Sequence, residues 1–124
     1  MLLRNTLLID AATCFATGVL LSVASAALSS LLGLPAALLF YAGVSLVPIA
    51  GFMLWAALRP LIPVVWVVIV GNAAWVLASI AVLFGFSPTA LGYAFVIVQA
   101  AAVALLAELE YAGLRKATAR IPFA

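Results

Sequence analysis

The sequence predicts an all-α integral membrane protein, a four-helix bundle of up-down-up-down topology with short loops. Three observations carry that prediction. Of the 124 residues, 70% are apolar by the AVILMFWYC count and 6% are charged, against roughly 45–50% and about 25% in a soluble domain. Four apolar stretches each reach the length of about 20 residues that a helix needs to cross roughly 30 Å of hydrocarbon. The breaks between them are short and carry residues that start and stop helices. Five Lys/Arg and three Asp/Glu cannot cover a water-facing surface of this size. That excludes a soluble globular domain, a disordered chain and a nucleic-acid binder. The chain, 1–124, reads as a single four-helix transmembrane domain.

The first span covers Leu7–Leu32 and is closed by Gly33, a residue suited to the left-handed position after a helix. Ala24-Ser25-Ala26 has the small-x-small form of a signal-peptide cleavage site. Asp10 interrupts the would-be apolar core and the stretch is too long for such a leader, so a permanent span is expected. Pro35 opens the second span, Pro35–Leu58, at its first turn. Arg59-Pro60-Leu61-Ile62-Pro63 breaks the chain before the third, Leu61–Phe84, which Gly85 ends. Ser87 is the expected N-cap and Pro88 the first turn of the fourth, Thr89–Leu114. With connections this short, successive helices are expected antiparallel and side by side. Leu31-Leu32-Gly33-Leu34-Pro35 and Leu83-Phe84-Gly85-Phe86-Ser87-Pro88 echo each other, as two tandem helical hairpins would.

The basic residues set the expected orientation. Arg4 precedes span one, Arg59 lies between spans two and three, and Arg115, Lys116 and Arg120 follow span four. The two opposite loops carry no charge. By the positive-inside rule both termini and the Arg59 loop are expected to be cytoplasmic, with the chain multi-pass in the cell's inner (cytoplasmic) membrane. The formal charge of +2 therefore reports topology rather than an acidic partner.

Polar residues inside the spans are the candidates for function. Counted from their helix starts at ~1.5 Å per residue, Asn72 and Gln99 both lie about 15–16 Å deep. A hydrogen bond between them is the simplest expectation, either as glue between helices or as part of a ligand site. Along span one, Asp10, Thr13, Cys14, Thr17, Gly18 and Ser22 share one half of the helix, while Phe15, Val19, Leu20 and Val23 can meet lipid. Tyr41, Ser45, Pro48, Phe52 and Trp55 form a stripe on span two, and Pro48 is expected to kink it. Asn72 and Ser79 share a face flanked by Trp75; Gly92, Gln99, Leu106 and Glu110 share another. These stripes describe a cavity with aromatic walls, or the ordinary interior of a bundle. Acids within spans are expensive and usually pair or serve a pathway. Asp10 sits just inside the cytoplasmic boundary, within reach of Arg4, Arg59 or Arg115 as an ion pair. Glu108 and Glu110, two residues apart, point in nearly opposite directions, so only one faces the interior, and Glu110 is the one on the Gln99 side.

Much chemistry is missing from the sequence. There is no histidine, and Cys14 stands as the single cysteine, read as a packing residue. No glycine-rich phosphate loop, HExxH or GxSxG occurs. No enzymatic activity, metal site or cofactor is expected.

Gly71-Asn72-Ala73-Ala74-Trp75-Val76-Leu77-Ala78-Ser79, with Pro88-Thr89-Ala90-Leu91-Gly92-Tyr93-Ala94-Phe95 and Gln99, resembles small four-span bacterial inner-membrane proteins of no assigned function. That likeness brings no activity with it. In size and loop length the chain is also similar to small multidrug resistance transporters, an analogy of form. Those carry a deep glutamate in the first span; the nearest equivalent here is Asp10, shallower and shorter, and the one-sided basic residues depart from dual-topology members. Two functions follow as expectations. One is a non-catalytic protein, in an oligomer, that binds or transports a small hydrophobic or cationic molecule between Asp10, Trp55, Asn72, Gln99 and Glu110. The alternative is an accessory or scaffold subunit of a larger membrane complex.

Overall fold

The computed structural model describes residues 2–119, with side chains through Lys116; Arg120 lies outside the described residues. The described residues form five helices: α1 (Leu2–Val23), α2 (Ser25–Leu32), α3 (Ala36–Leu58), α4 (Ile62–Gly85) and α5 (Ala90–Ala119). Helices α1, α3 and α4, together with Ala90–Lys116 of α5, are each long and apolar enough to cross a bilayer. The chain is thus a multi-pass membrane protein, and its outward faces carry the apolar residues that meet lipid, among them Val19, Val23, Leu77, Phe84 and Val98.

The first span differs from its expected form. It begins at Leu2 rather than Leu7 and bends at Ala24, where φ −104° and ψ 20° leave the helical range. Backbone hydrogen bonds from Ala24 to Leu20 and from Leu28 to Ala24 cross the bend, so α2 continues α1 in a new direction. Gly33 then closes α2 in the left-handed conformation at φ 70°. A Cβ there would lie 2.8 Å from the Thr89 nitrogen, so the position is closed to other residues twice over. Helix α5 is capped by Thr89 and not by Ser87. The Thr89 hydroxyl accepts from the Gly92 amide at 3.1 Å and donates to the Leu31 carbonyl at 2.7 Å, tying the two far loops together. Ser87 and Pro88 precede the helix because the cap is the residue whose hydroxyl reaches the amide three residues on, in the first turn.

Two apolar clusters hold the two ends of the bundle. Leu3, Leu7, Ala11, Met53, Ala56, Ala57, Val65, Val68 and Leu114 gather at the end bearing Arg4, Arg59 and Arg115. Leu21, Leu32, Leu34, Leu39, Leu46 and Val96 gather at the other. Helix α1 lies centrally, packed most extensively on α3 and also on α5, while α5 holds α4. The α1–α3 seam is tight because Gly18 and Gly43 face each other. A Cβ on Gly43 would fall 2.7 Å from both the Gly18 oxygen and the Ser22 nitrogen.

Helices α3 and α4, although consecutive, scarcely touch. The expectation that successive helices pack side by side therefore fails at this pair. The stripe Tyr41, Ser45, Pro48, Phe52 and Trp55 is exposed. The packed face of α3 is instead Leu39, Gly43, Leu46, Ala50, Met53, Ala56 and Ala57. Small residues win the α1 contact because they let the backbones approach, and that turns the bulky stripe outward.

Candidate functional site

Against the first of the two apolar clusters, one turn or less from Leu7, Ala11, Val68 and Leu114, three polar side chains from three helices converge. Asp10 of α1 and Glu110 of α5 have no exposed surface, and Asn72 of α4 retains 4%. Asn72 Nδ2 donates to Asp10 Oδ2 at 2.7 Å and to Glu110 Oε1 at 2.9 Å. The two accepting oxygens are thus no farther apart than those two bonds laid end to end. Asp10 Oδ1 also takes the Cys14 thiol at 3.6 Å, one helical turn on, and that sulfur lies 3.7 Å from Met53 Sδ. Glu110 Oε2 is buried without any hydrogen-bond partner. The donors to this cluster are neutral amide and thiol groups. Among the described residues, no basic group is among the donors that hold these two buried carboxyls.

The sequence-predicted ion pair of Asp10 with an arginine is replaced by this contact with Asn72. The predicted Asn72–Gln99 bond is also absent. Gln99 instead accepts from the Trp75 indole Nε1 at 2.9 Å and donates to Ser79 Oγ at 2.8 Å. The two amides turn to different neighbours: Gln99 lies against Trp75 and Ser79 of α4, while Asn72 is taken by the two carboxyls of α1 and α5. Glu110 faces inward and Glu108 is exposed, as their spacing requires. Trp55 stands apart from the other four candidates: it is 45% exposed, its ring 5.8 Å from that of Phe52 on the outer face of α3.

The cluster adjoins two cavities. One of about 330 Å³ lies between α3 and α4, with Phe52, Met53, Val67, Gly71 and Trp75 among its walls and Asn72 and Cys14 at its inner side. A smaller one of about 100 Å³ is bounded by Asp10, Thr13, Thr17, Trp75 and Gln99. Cys14, Leu46, Trp75 and Val103 are common to both, so the two spaces are separated by single side chains. A third space of about 200 Å³ continues from Thr17, Trp75 and Gln99 toward Leu34 and Phe95 at the far end. Trp75 borders all three, its indole fixed by Gln99.

Sequence reasoning placed Cys14 on the Asp10 face as a packing residue and Trp75 beside Asn72 without giving either a part in the site, and it missed Met53. The i, i+4 spacing of Asp10 and Cys14 was the available signal for Cys14. Among the described residues no group of three or more His, Cys, Asp or Glu is arranged to hold a metal ion. Chemically, the arrangement offers an apolar, partly aromatic chamber with two carboxyls behind one amide at its inner end. Compared with family models, curated proteins and solved structures, the chain shows no match to any of them.

Proposed function

We propose that this protein is a non-catalytic inner-membrane protein that binds, and as an oligomer passes across the bilayer, a small molecule with an apolar body and a cationic head. The observation that carries the reading is the burial of Asp10 and Glu110 on a single Asn72 nitrogen at the inner end of an apolar chamber. The chamber suits the body of such a ligand, and its volume of about 330 Å³ falls at the small end of the roughly 300–1,000 Å³ typical of ligand pockets. The head is attracted by the two carboxyls, with Asp10 on the adjoining smaller space beyond Cys14 and Glu110 bonded to the far side of the Asn72 amide. The face of Trp75 adds a cation–π contact. In this reading both termini and the Arg59 loop face the cytoplasm, by the one-sided basic residues.

Native mass spectrometry of protein released from mild detergent tests it, recording subunit number and retained molecules. A defined homo-oligomer that retains added benzyltrimethylammonium, and loses it on Asp10→Asn, supports the reading. A bare monomer that retains none, or one that arrives with a different protein, favours the accessory-subunit role.

A further inference from the structure

The chamber lies where two consecutive helices part. Pro48 and Phe52 of α3 form one jamb, and Val67 and Gly71 of α4 the other. The loop-proximal ends of these helices are closed by the apolar cluster of Met53, Ala56, Ala57, Val65 and Val68. The space therefore faces sideways, into hydrocarbon, rather than along the bundle toward that loop. Gly71 sits at the opening, and a Cβ built on it meets nothing within 4 Å. A glycine in a helix interior is unfavourable relative to alanine by roughly 0.5–1 kcal/mol, and no close backbone contact at Gly71 requires one. Its contribution is open space. At the inner end of the same space stand Asn72 and, behind it, the unpartnered Oε2 of Glu110.

We propose that the α3–α4 cleft is a lateral doorway through which an amphiphilic cation passes from the bilayer hydrocarbon to the Asp10–Asn72–Glu110 cluster. This rests on the reading of that cluster as a cation site. It narrows the ligand class to molecules that first partition into the membrane, with their apolar bodies leading between Phe52 and Gly71. Purely water-soluble cations are excluded by the same geometry.

Cys14, the single cysteine of the chain, lines the chamber and serves as a built-in reporter. The test uses the full chain in proteoliposomes and N-phenylmaleimide dissolved in the lipid. The thiol adds across the maleimide double bond, forming an S–C bond while its proton passes to the neighbouring carbon. The expected result is modification of Cys14 that Gly71→Trp slows by about tenfold or more and Gly71→Leu by a smaller factor. Gly51→Trp is the control. Its Cβ also meets nothing within 4 Å, but it opens on a different groove, between α1 and α3. It is expected to leave the rate within about twofold. Unchanged elution and helical circular dichroism certify the fold of each variant, and the leucine plug answers if the tryptophan variant misfolds. Equal rates in native and Gly71→Leu and Gly71→Trp proteins overturn the doorway, as does equal slowing by Gly51→Trp. Cys14 that is inert in the native protein in the bilayer also overturns it, and a lower subunit number in Gly71→Trp then assigns the cleft to a second copy of this chain. Protection of Cys14 by benzyltrimethylammonium supports the cation site. Loss of that protection alone, with the Gly71 effect intact, overturns the cation site and not the opening.

Discussion

Asp10 and Glu110, from the first and last helices, accept hydrogen bonds from one and the same nitrogen of Asn72, at 2.7 and 2.9 Å. Their shared donor fixes the relative positions of α1, α4 and α5 at one level of the bundle. Because α1 and α4 have little direct backbone contact, Asn72 is their principal polar link.

Replacing Asn72 by leucine removes the donor from both carboxyls while leaving them buried. A single interhelical hydrogen bond in a membrane averages about 0.6 kcal/mol, but stranding two buried acceptors raises the expected loss to about 2–3 kcal/mol. Equilibrium unfolding in mild detergent measures it. Asn72→Leu combined with Glu110→Leu is expected to recover part of that loss, since one stranded carboxyl is then gone.

The glycines divide into two groups with opposite expected responses. Gly43→Ala forces a methyl to 2.6 Å from Ser22 Oγ and 2.7 Å from the Gly18 oxygen. Gly113→Ala meets the Leu3 Cα at 2.8 Å. Each is expected to destabilise by about 1–3 kcal/mol, since backbone cannot move aside as a side-chain tip can. Gly71→Ala, in open space, is expected to be neutral or stabilising by up to ~1 kcal/mol. The same unfolding measurement ranks all three, and equal losses would refute the packing described for the α1–α3 and α1–α5 seams.

Gln99 belongs to a polar group separate from the acids. Gln99→Leu leaves the Trp75 indole N–H and the Ser79 hydroxyl without their amide partner, at a cost of about 1 kcal/mol. In a background of Trp55→Phe and Trp66→Phe, the emission of Trp75 is expected to shift on this change. Cation affinity is expected to fall by less than about threefold, in contrast with the acids. An effect of Gln99→Leu as large as that of Asp10→Asn would join the two groups into one site.

The four spans were legible because apolar length and Gly/Pro punctuation act locally, and Gly33 fulfils its expected role in full. The bend at Ala24 was not legible, since the residues around it are apolar or small and carry no helix breaker. Depth along single helices misled the pairing of Asn72 and Gln99, because equal depth does not say which neighbour each side chain meets: Trp75 and Ser79 take Gln99, and the two acids take Asn72. The outward stripe on α3 has the spacing of an inward one. What decides between them is the face of Gly43, Ala50 and Ala57, which approaches α1 more closely than aromatic rings allow. Of the five candidates, Asp10, Asn72 and Glu110 meet, Gln99 lies beside them, and Trp55 does not join.

The most direct measurement is a titration of the nanodisc-embedded protein with benzyltrimethylammonium by calorimetry, on the native chain and on Asp10→Asn and Glu110→Gln. Each substitution keeps the shape of its side chain and removes a carboxyl. The central claim, that the paired acids recognise a cation, predicts saturable binding that weakens by about tenfold or more in each variant. Binding that is absent in the native protein, or unchanged in both variants, contradicts it and leaves the cluster a structural clasp.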